Sequence, residues 1–358
     1  MPNATLTRAI DALAQRRDLS ADETAEVLDE IMHGEVSETQ IAGFLVALRT
    51  KGETVDELTG LARTMRALAT PVPVERDDLL DTAGTGGGRS TFNVSTTAAL
   101  IAAGAGCAVA KHGNRSATSR SGSADLLEAL GAHIDLAPEG VAACIEEAGF
   151  GFMFAPTHHR ATRYVVPVRR ELQVRTVFNF LGPLTNPAGA SRQLIGVSDP
   201  AFQETIAGAL ARLDTTRALV VCAEDGLDEI SIGAATKVIE VNRGTGKTLT
   251  RYTLTPGEVG VQALDTASGD GRALAGASPE ENARVTEAIF GGEQGPAAEL
   301  ATINAGAAIY AAGVADSIAE GVVAAREAIA DGRTTDTLTR FVAASARHAE
   351  DGAEAGAR

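Results

Sequence analysis

The sequence predicts an α/β protein with a small N-terminal all-α domain and a large α/β domain that has a mostly parallel central sheet. Apolar residues at positions 4–70 recur at helical spacing. Pro71 and Pro73 then interrupt this pattern. Beyond them, short apolar runs alternate with helical stretches, which is typical of parallel strands whose connecting helices cover the sheet.

Hydroxyl residues mark the starts of the N-terminal helices. Ser20, Ser37 and Thr54 are each followed three positions later by Glu or Gln, so each hydroxyl can accept a hydrogen bond from a first-turn amide. Gly34 and Gly52 lie where the preceding helices would end. We therefore predict a helical domain over residues 1–72.

We predict the large α/β domain over residues 73–345. Short apolar runs predict strands at residues 79–82, 107–110, 151–155, 194–197 and 218–221. Helical stretches between them lie at residues 96–104, 123–130, 138–148 and 200–213. Residues 236–254 predict a hairpin around 243–246, and helices follow. Residues 346–358 are acidic and contain glycine, so we expect a frayed tail there.

Composition excludes several classes of function. The net charge is −16, and no basic tract is concentrated enough to neutralise a phosphate backbone, so we expect no nucleic-acid partner. Aromatic residues make up 4% of the chain and Trp is absent, which argues against base stacking. A small anionic ligand is still compatible with this charge, because a local pocket can be positive on an acidic protein.

Cysteine usage and hydropathy bear on the compartment. Cys107, Cys144 and Cys222 are scattered and form no CxxC pair, which favours buried thiols in a reducing cytoplasm. Residues 90–110 carry no charged side chain and are long enough to span a membrane, but they contain Asn93 and several hydroxyls and glycines. We expect a buried segment of the α/β domain there and no membrane contact.

Residues 81–96 carry the densest functional signal. Four glycines within residues 84–88 follow a predicted strand, and a helix is predicted to begin near Ser95. Glycines allow the backbone amides to approach an anion, and a helix N-terminus adds positive potential. A tight structural turn is the alternative, but the density of glycine favours a phosphate site.

Residues 111–119 form a second candidate anion site directly after a predicted strand. Lys111 and Arg115 flank a Gly-Asn pair, and hydroxyl residues follow as far as Ser123. Ligands bind at the carboxyl ends of strands in open α/β sheets, so these groups suit a di- or triphosphate. The alternative is a solvated loop.

Two further clusters are weaker when each is taken alone. Asp228 and Glu229 follow a predicted strand and are able to hold Mg²⁺ together with substrate phosphates, although such a pair is more often solvated surface. Arg169 and Arg170, with Arg163 and Arg175 nearby, suit carboxylate recognition or surface ion pairs equally well. His158 and His159 could also be ligands or acid–base groups, but a surface position at a helix start is the simpler interpretation.

These clusters, in this order, resemble the anthranilate phosphoribosyltransferase family of the nucleoside phosphorylase/phosphoribosyltransferase superfamily. The resemblance covers about residues 5–340. It rests on the motifs GTGG and TFNVST, KHGNRSATS and SGSADLLEALG, GFMFAP, VRREL, RT.FN.LGPLTNP and DGLDEIS. It implies a small helical domain, a large α/β domain, an active site at their junction, and a homodimer formed through the helical domain.

The resemblance also assigns residues to ligands. Asn114, Arg169 and Gly84 match anthranilate contacts, and Ser95, Asp228 and Glu229 match Mg²⁺ positions. Residues ~160–183 are expected to cross back to the helical domain. The positions that match phosphoribosyl pyrophosphate (PRPP) contacts are Gly84, Gly87, Gly88, Thr91, Asn93, Val94, Ser95, Thr96, Lys111, His112, Gly113, Asn114, Arg115, Ser116, Ala117, Thr118, Ser119 and Ser123.

One departure from the family pattern concerns the glycine loop. Relatives commonly read GTGGDG, whereas here Gly88 stands in place of the Asp and Thr91 follows one residue sooner. Arg89 then either supplies a phosphate contact or lies at the tip of a shorter loop. His112 and His159 are candidates for proton transfer, but we assign no catalytic acid or base, because the aniline nitrogen of anthranilate is already neutral at pH 7.

The expected reaction is transfer of the 5-phosphoribosyl group from PRPP to the amino group of anthranilate, with Mg²⁺ as cofactor and pyrophosphate as leaving group. This reaction is the second step of tryptophan biosynthesis from chorismate. A pyrimidine nucleoside phosphorylase of the same superfamily is one alternative, although Asp228 and Glu229 fit a Mg²⁺–pyrophosphate substrate better. A non-catalytic nucleic-acid-binding relative is another, and the charge of −16 opposes it.

Overall fold

The computed structural model describes residues 2–116, 120–245, 249–264 and 274–356, without the side chains of residues 245 and 351–356. Its N-terminal part is helical, as the sequence predicts. The four helices of this unit are α1 (Ala4–Ala14), α2 (Ala21–Met32), α3 (Glu38–Lys51) and α4 (Val55–Leu68). Their apolar faces meet in one core.

The predicted caps begin three of these helices. Ser20 and Thr54 form complete capping boxes with Glu23 and Glu57. Ser37 accepts a hydrogen bond from the Gln40 amide, but the Gln40 side chain bonds the backbone of Asn3 instead of closing the box. A tertiary contact between α3 and the N-terminus therefore replaces half of a local motif.

In the described residues, seven strands form one sheet in the order β3-β2-β1-β4-β5-β6-β7. The pairs from β3 through β5 are parallel, whereas β5–β6 and β6–β7 are antiparallel, so both the mostly parallel sheet and the hairpin are confirmed. The strands are β1 (Leu80–Gly84), β2 (Val109–Gly113), β3 (Phe150–Phe154), β4 (Arg192–Gly196), β5 (Arg217–Ala223), β6 (Thr236–Asn242) and β7 (Leu249–Leu254).

Helices cover both faces of this sheet. In β5, Leu219 and Val221 pack into the core of the α/β part, whereas Ala218 and Val220 pack into the core shared with the helical unit. The helices after β1 are α5 (Val94–Gly104), α6 (Ser123–Ala129), α7 (Pro138–Ala148), α8 (Ala155–His158), α9 (Val166–Leu172), α10 (Phe178–Leu181), α11 (Gln203–Arg212), α12 (Pro279–Phe290), α13 (Pro296–Ala312), α14 (Ile318–Ala330) and α15 (Arg333–Gly356).

Two boundaries differ from the sequence prediction. Strand β2 begins at Val109 and includes Lys111, His112 and Gly113, which we expected in a loop, because they pair with β3. Helix α15 runs to Gly356, over residues that we expected to fray, and its Arg347 pairs with Glu147 of α7. Residues 246–248 of the predicted hairpin turn lie outside the described residues.

The segment after β3 packs against the helical unit. Val165 and Val168 are buried in the core that α1–α4 form. Arg66 of α4 donates from Nε to the Leu184 carbonyl at 2.6 Å and from Nη1 to the Leu213 carbonyl at 2.7 Å. In the described part of the chain, no helix combines the length and apolar character that crossing a membrane requires.

Candidate active site

The candidate site lies at the carboxyl ends of the parallel strands, where the chain passes from β1, β4 and β5 into loops. A small cavity opens there between the glycine loop (residues 84–93), the N-terminus of α5 and the loop after β5. Its lining includes Gly84, Ser95, Asp228 and Glu229. The tertiary structure thus brings together the three residues that the family resemblance matched to Mg²⁺ positions.

The glycine loop is held by backbone contacts to its neighbours. The Thr85 amide donates to the Gly196 carbonyl at 2.8 Å, and the Arg89 amide donates to the Gly226 carbonyl at 3.1 Å. Gly88 requires the absence of a side chain, since a Cβ there would lie 2.9 Å from the Gly226 carbonyl oxygen. Arg89 is half-exposed, and its Nη1 lies 3.6 Å from Asp225 Oδ2.

Residues 226–230 carry the acidic pair. Asp228 Oδ2 accepts from the Gly86 amide at 3.2 Å, and Glu229 Oε1 accepts from the Thr91 hydroxyl at 3.0 Å. Asn304 of α13 fixes the end of this loop through two hydrogen bonds. Its Oδ1 accepts from the Ile230 amide at 2.9 Å, and its Nδ2 donates to the Ile230 carbonyl at 3.0 Å. Both carboxylates are therefore directed toward the glycine loop.

The electrostatics of this pair call for a cation. Burial raises the pKa of Asp228, and burial together with the Asp228 charge raises the pKa of Glu229 to about 8. Glu229 Oε2 is buried and has no hydrogen-bond partner among the described residues. No group of three or more His, Cys, Asp or Glu side chains in the described chain could hold a metal by itself. The residues fit Mg²⁺ that completes its shell with substrate phosphates and water.

Lys111 is buried beneath the glycine loop. Its Nζ donates to the Thr82 carbonyl at 2.6 Å and lies 3.4 Å from Ser95 Oγ. Burial lowers the pKa of Lys111 to about 8, opposed by the nearby Asp81 carboxylate. Asp81 in turn accepts from the His112 amide at 3.1 Å and from Asn186 Nδ2 at 2.8 Å. This arrangement keeps a cation next to the cavity.

Asn93 has its side chain bound by protein. Its Oδ1 accepts from Asn282 Nδ2 at 2.8 Å and from the Ser121 hydroxyl at 2.9 Å, and its Nδ2 donates to the Ser121 carbonyl at 3.1 Å. The network joins the start of α5 to α12 and to the loop before α6. Val94 and Thr96 are buried beside it.

The loop after β2 carries the other expected phosphate contacts. Arg115 is exposed, and its Nη1 pairs with Asp125 at 2.9 Å and also with Glu128, which together raise its pKa. Its charge is thus already neutralised, contrary to the free cation that the sequence suggested. Ala117, Thr118 and Ser119 lie outside the described residues.

The other described residues that were expected to contact PRPP in this loop are held by hydrogen bonds or close packing within the protein. Asn114 is exposed, and its Oδ1 accepts from the Arg115 amide at 2.7 Å. The Ser116 amide donates to Asp125 Oδ2 at 3.3 Å. A Cβ on Gly113 would lie 3.1 Å from Ser123 Cβ, so the end of β2 and the start of α6 approach closely.

Arg169 lies on α9 in the segment that packs against α3. Its guanidinium is 5.7 Å from the centroid of the Phe178 ring, and burial lowers its pKa. No hydrogen bond among the described residues joins it to Gly84 or Asn114. In the part of the chain that the structure describes, no carboxylate forms an ion pair with this half-buried guanidinium, which suits an anionic ligand.

The candidate histidines His112 and His159 are buried next to each other. His112 Nδ1 lies 3.1 Å from the Gly182 carbonyl, and its ring centroid is 5.0 Å from that of His159. Burial lowers the pKa of His112 to about 3 and that of His159 to about 4. Neither is charged at neutral pH. His158 is also buried, contrary to the surface position that the sequence suggested.

Sequence reasoning missed the residues that support the site from a distance. Asn186, Asn282 and Asn304 are fully engaged amides whose partners lie far away in the chain. Asn186 falls in the TNP motif that we quoted, so its polar character within an apolar stretch was a usable signal. Asn282 and Asn304 lie on helices, where nothing local distinguishes them.

Comparisons with known proteins agree with this architecture. The helical bundle domain of a glycosyl transferase family matches residues 7–69, and the a/b domain of the same family matches residues 76–335. Two curated relatives are the anthranilate phosphoribosyltransferases of Moorella thermoacetica and Chromohalobacter salexigens. They are 48% and 51% identical, over 94% and 89% of this chain and 98% and 91% of the relatives.

Solved structures extend the match to three dimensions. The anthranilate phosphoribosyltransferase of Thermus thermophilus matches with a TM-score of 0.87 and 48% identity, covering 94% of this chain and 99% of that one. The Saccharomyces cerevisiae enzyme in complex with PRPP and Mg matches with a TM-score of 0.85 and 27% identity, covering 96% and 99%. Identity of this extent, along nearly the whole chain, shows that the chain belongs to the anthranilate phosphoribosyltransferase family.

Proposed function

We propose that this chain transfers the phosphoribosyl group of PRPP to anthranilate through the cavity at the end of β1, β4 and β5. The observation that carries the assignment is the convergence of Ser95, Asp228 and Glu229 on one cavity beside the glycine loop. Mg²⁺ is the cofactor, as in the yeast structure that contains it. The buried, unpartnered Oε2 of Glu229 supports the placement of the ion.

The PRPP phosphates are assigned to the glycine loop, the start of α5 and the loop after β2. Backbone amides at residues 87–88 and near Ser95 supply donors, and the α5 N-terminus adds positive potential. Lys111 supplies a cation from below the cavity, whereas Arg115 is already paired with two carboxylates. This arrangement favours a strongly anionic ligand although the whole chain carries a charge of −16.

Anthranilate is assigned to the side of the site where the segment after β3 meets the helical unit. Arg169 would bind its carboxylate, and Asn114 and Gly84 would contact the ring or amino group. This half-buried guanidinium has no ion pair with a carboxylate of the described residues, which supports the role, because a planar carboxylate can accept two parallel hydrogen bonds from it.

The chemistry then requires charge stabilisation and positioning. Loss of pyrophosphate from ribose C1′ passes through an oxocarbenium-like transition state while negative charge grows on the leaving group. Lys111 and the loop amides stabilise that charge where it develops. When bound, Mg²⁺ supplies further positive charge to the leaving group. The neutral aniline nitrogen bonds C1′ as the bond from C1′ to pyrophosphate breaks, and the proton that it then loses passes to pyrophosphate or water. No strong base is needed, which agrees with neutral, buried His112 and His159.

The activity is tested by following pyrophosphate release with PRPP, anthranilate and Mg²⁺. Release should require all three and yield N-(5-phosphoribosyl)anthranilate. Replacing the substrates by uridine and inorganic phosphate tests the nucleoside phosphorylase alternative, and a shift assay at low salt tests the nucleic-acid-binding alternative. Turnover only with uridine and phosphate would refute the proposal.

We also propose a homodimer that forms through the helical unit, residues 1–72, with residues 160–183 packed against it. Val46 on α3 and Val166 on α9 are each 41% exposed, and Val174 is 50% exposed. Exposed apolar side chains on neighbouring elements support an interface there. Light scattering should give twice the chain mass, and Val46→Glu should shift it toward the monomer.

A cytoplasmic location is also proposed. Cys107, Cys144 and Cys222 are free and buried, which suits a reducing compartment. Cell fractionation tests this assignment, and recovery in a membrane or secreted fraction would contradict it.

A further inference from the structure

Arg175 does not behave as the surface or carboxylate-binding arginine that its neighbourhood in the sequence suggested. Its Nη2 donates to the Thr85 carbonyl at 3.0 Å, and its Nη1 donates to Ser198 Oγ at 3.3 Å. Ser198 then donates its own hydroxyl hydrogen to the Gly86 carbonyl at 2.8 Å. One guanidinium therefore fixes two consecutive carbonyls of the glycine loop, one directly and one through a hydroxyl.

The backbone of Gly87 is shaped to this guanidinium. A Cβ on Gly87 would lie 1.7 Å from Arg175 Nη1, and the residue has a φ of +83°. The left-handed backbone favours glycine here, whereas the contact with Arg175 means that a side chain at this position would displace the guanidinium.

Arg175 also connects the loop to the helical unit. Its carbonyl accepts from Nη1 of Arg49, a residue in the last turn of α3. Its guanidinium is 5.7 Å from the centroid of the Phe180 ring, which limits its freedom to move. The residue therefore lies in a continuous chain of contacts from α3 to the loop after β1.

From these contacts we infer that Arg175 is a positioning residue that holds residues 85–87 in the conformation that binds PRPP and couples this loop to α3. The inference rests on the proposed function in that the loop is assigned to PRPP. It gives a role in the reaction to Arg175, a residue that we assigned neither to Mg²⁺ nor to anthranilate. Arg175 binds the loop through both outer nitrogens, Nη2 directly at the Thr85 carbonyl and Nη1 through Ser198, so its effect on PRPP is assigned to the conformation of the loop.

The first experiment compares Arg175→Ala and Arg175→Lys with Arg243→Ala. Arg243 is a matched control, because it too donates to a backbone carbonyl, that of Ala211, but it lies beyond the end of β6, away from the glycine loop. Removing a charge-assisted bond should raise the KM for PRPP about tenfold to a hundredfold in Arg175→Ala, with little change in the KM for anthranilate. Arg175→Lys should recover part of the loss, and Arg243→Ala should match the parent.

A double-mutant cycle separates positioning from direct substrate contact. Ser198→Ala leaves the guanidinium in place but removes the bond to Gly86, so it should also raise the KM for PRPP. The combined variant should lose less than the product of the two single effects, because both residues act on the same loop. An unchanged KM in Ser198→Ala, or fully multiplicative effects, would overturn the positioning role.

Hydrogen exchange gives a readout that does not depend on turnover. Amides of residues 85–89 should exchange faster in Arg175→Ala than in the parent, while the helices of the helical unit keep their parent rates. If Arg175→Ala does not fold, the same comparison is made with Arg175→Lys. Unchanged exchange in the loop would refute the inference even if the enzyme is active. Failure of the parent to bind PRPP in a calorimetric titration would instead refute the proposed function, leaving the exchange result to decide the role of Arg175.

Discussion

Replacing Glu229 by Gln removes a charge that the folded chain accommodates poorly without a cation. The substitution keeps the side-chain volume and the acceptor for the Thr91 hydroxyl at 3.0 Å. It removes the carboxylate whose pKa is raised to about 8 by burial and by Asp228. The metal-free variant should therefore be more stable than the parent at mildly alkaline pH, although it binds Mg²⁺ more weakly.

The sign and size of this effect follow from proton linkage. Without metal, folded Glu229 keeps its proton up to about pH 8, whereas the unfolded chain releases it near the ordinary value of 4.5. The folded state binds more protons in this window, so stability falls as pH rises through it. For one proton, the loss between pH 6 and pH 8 is about 2 kcal/mol, and Glu229→Gln should abolish it.

Urea denaturation at pH 6 and pH 8 measures the free energy of unfolding, first with a chelator to give the effect of pH and then with excess Mg²⁺ to give the effect of the metal. In chelator, the difference between parent and Glu229→Gln should grow from pH 6 to pH 8 in favour of the variant. Mg²⁺ should stabilise the parent by about 2.7 kcal/mol at a hundredfold excess over its dissociation constant, and the variant by less. Glu224→Gln, on the exposed start of the same loop, is the matched control and should follow the parent.

Two results would refute this reasoning. Parallel pH profiles for parent and Glu229→Gln in chelator would mean that Glu229 is ionised in the folded chain without any cation. Equal stabilisation of both proteins by Mg²⁺ would mean that the ion does not bind at this carboxylate. Either result would return the acidic pair to the solvated-surface alternative.

Three further outcomes are expected. Arg169→Ala should raise the KM for anthranilate about tenfold to a hundredfold in steady-state kinetics and leave the KM for PRPP nearly unchanged, with Arg169→Lys intermediate; an unchanged anthranilate KM contradicts the assignment. Arg89→Ala should weaken PRPP several-fold in calorimetric titration, less so at high salt, if Arg89 leaves Asp225 for the ligand; equal affinities would mean that the loop is merely shorter. Glu57→Gln should lower the free energy of unfolding in urea by about 1.5 kcal/mol, because Lys51 Nζ loses a buried anionic partner at 3.0 Å but keeps Asp18 at 2.7 Å, and adding Lys51→Met should reduce the loss.

The positions of the local elements could be read from the sequence because their causes are local. Ser20 and Thr54 begin helices through contacts to residues three positions away, and the structure confirms both capping boxes. The alternation in β5 follows from a period of two between its faces. The glycines after β1 and the acidic pair after β5 could be placed at one edge of the sheet, because parallel strands end on the same side.

The partners of individual charged side chains depended on the tertiary structure. Lys111 and Arg115 are similar cations in one motif, yet β-sheet pairing buries Lys111 under the cavity and α6 presents two carboxylates to Arg115. Arg175 and Arg169 fall within one short arginine-rich stretch and each lies 5.7 Å from the centroid of a phenylalanine ring, yet it is Arg175 that bonds the glycine loop.

The sequence by itself therefore determined the two-part architecture, the family and the edge of the sheet where chemistry occurs. Only the tertiary structure decided which atoms meet there. Gly86 and Asp228 bond across more than a hundred residues of chain, and Asn282 reaches Asn93 across a similar separation. The physical reason is that periodicity and capping act over a few residues, whereas a hydrogen bond or an ion pair between distant segments exists only after the sheet and its helices have packed.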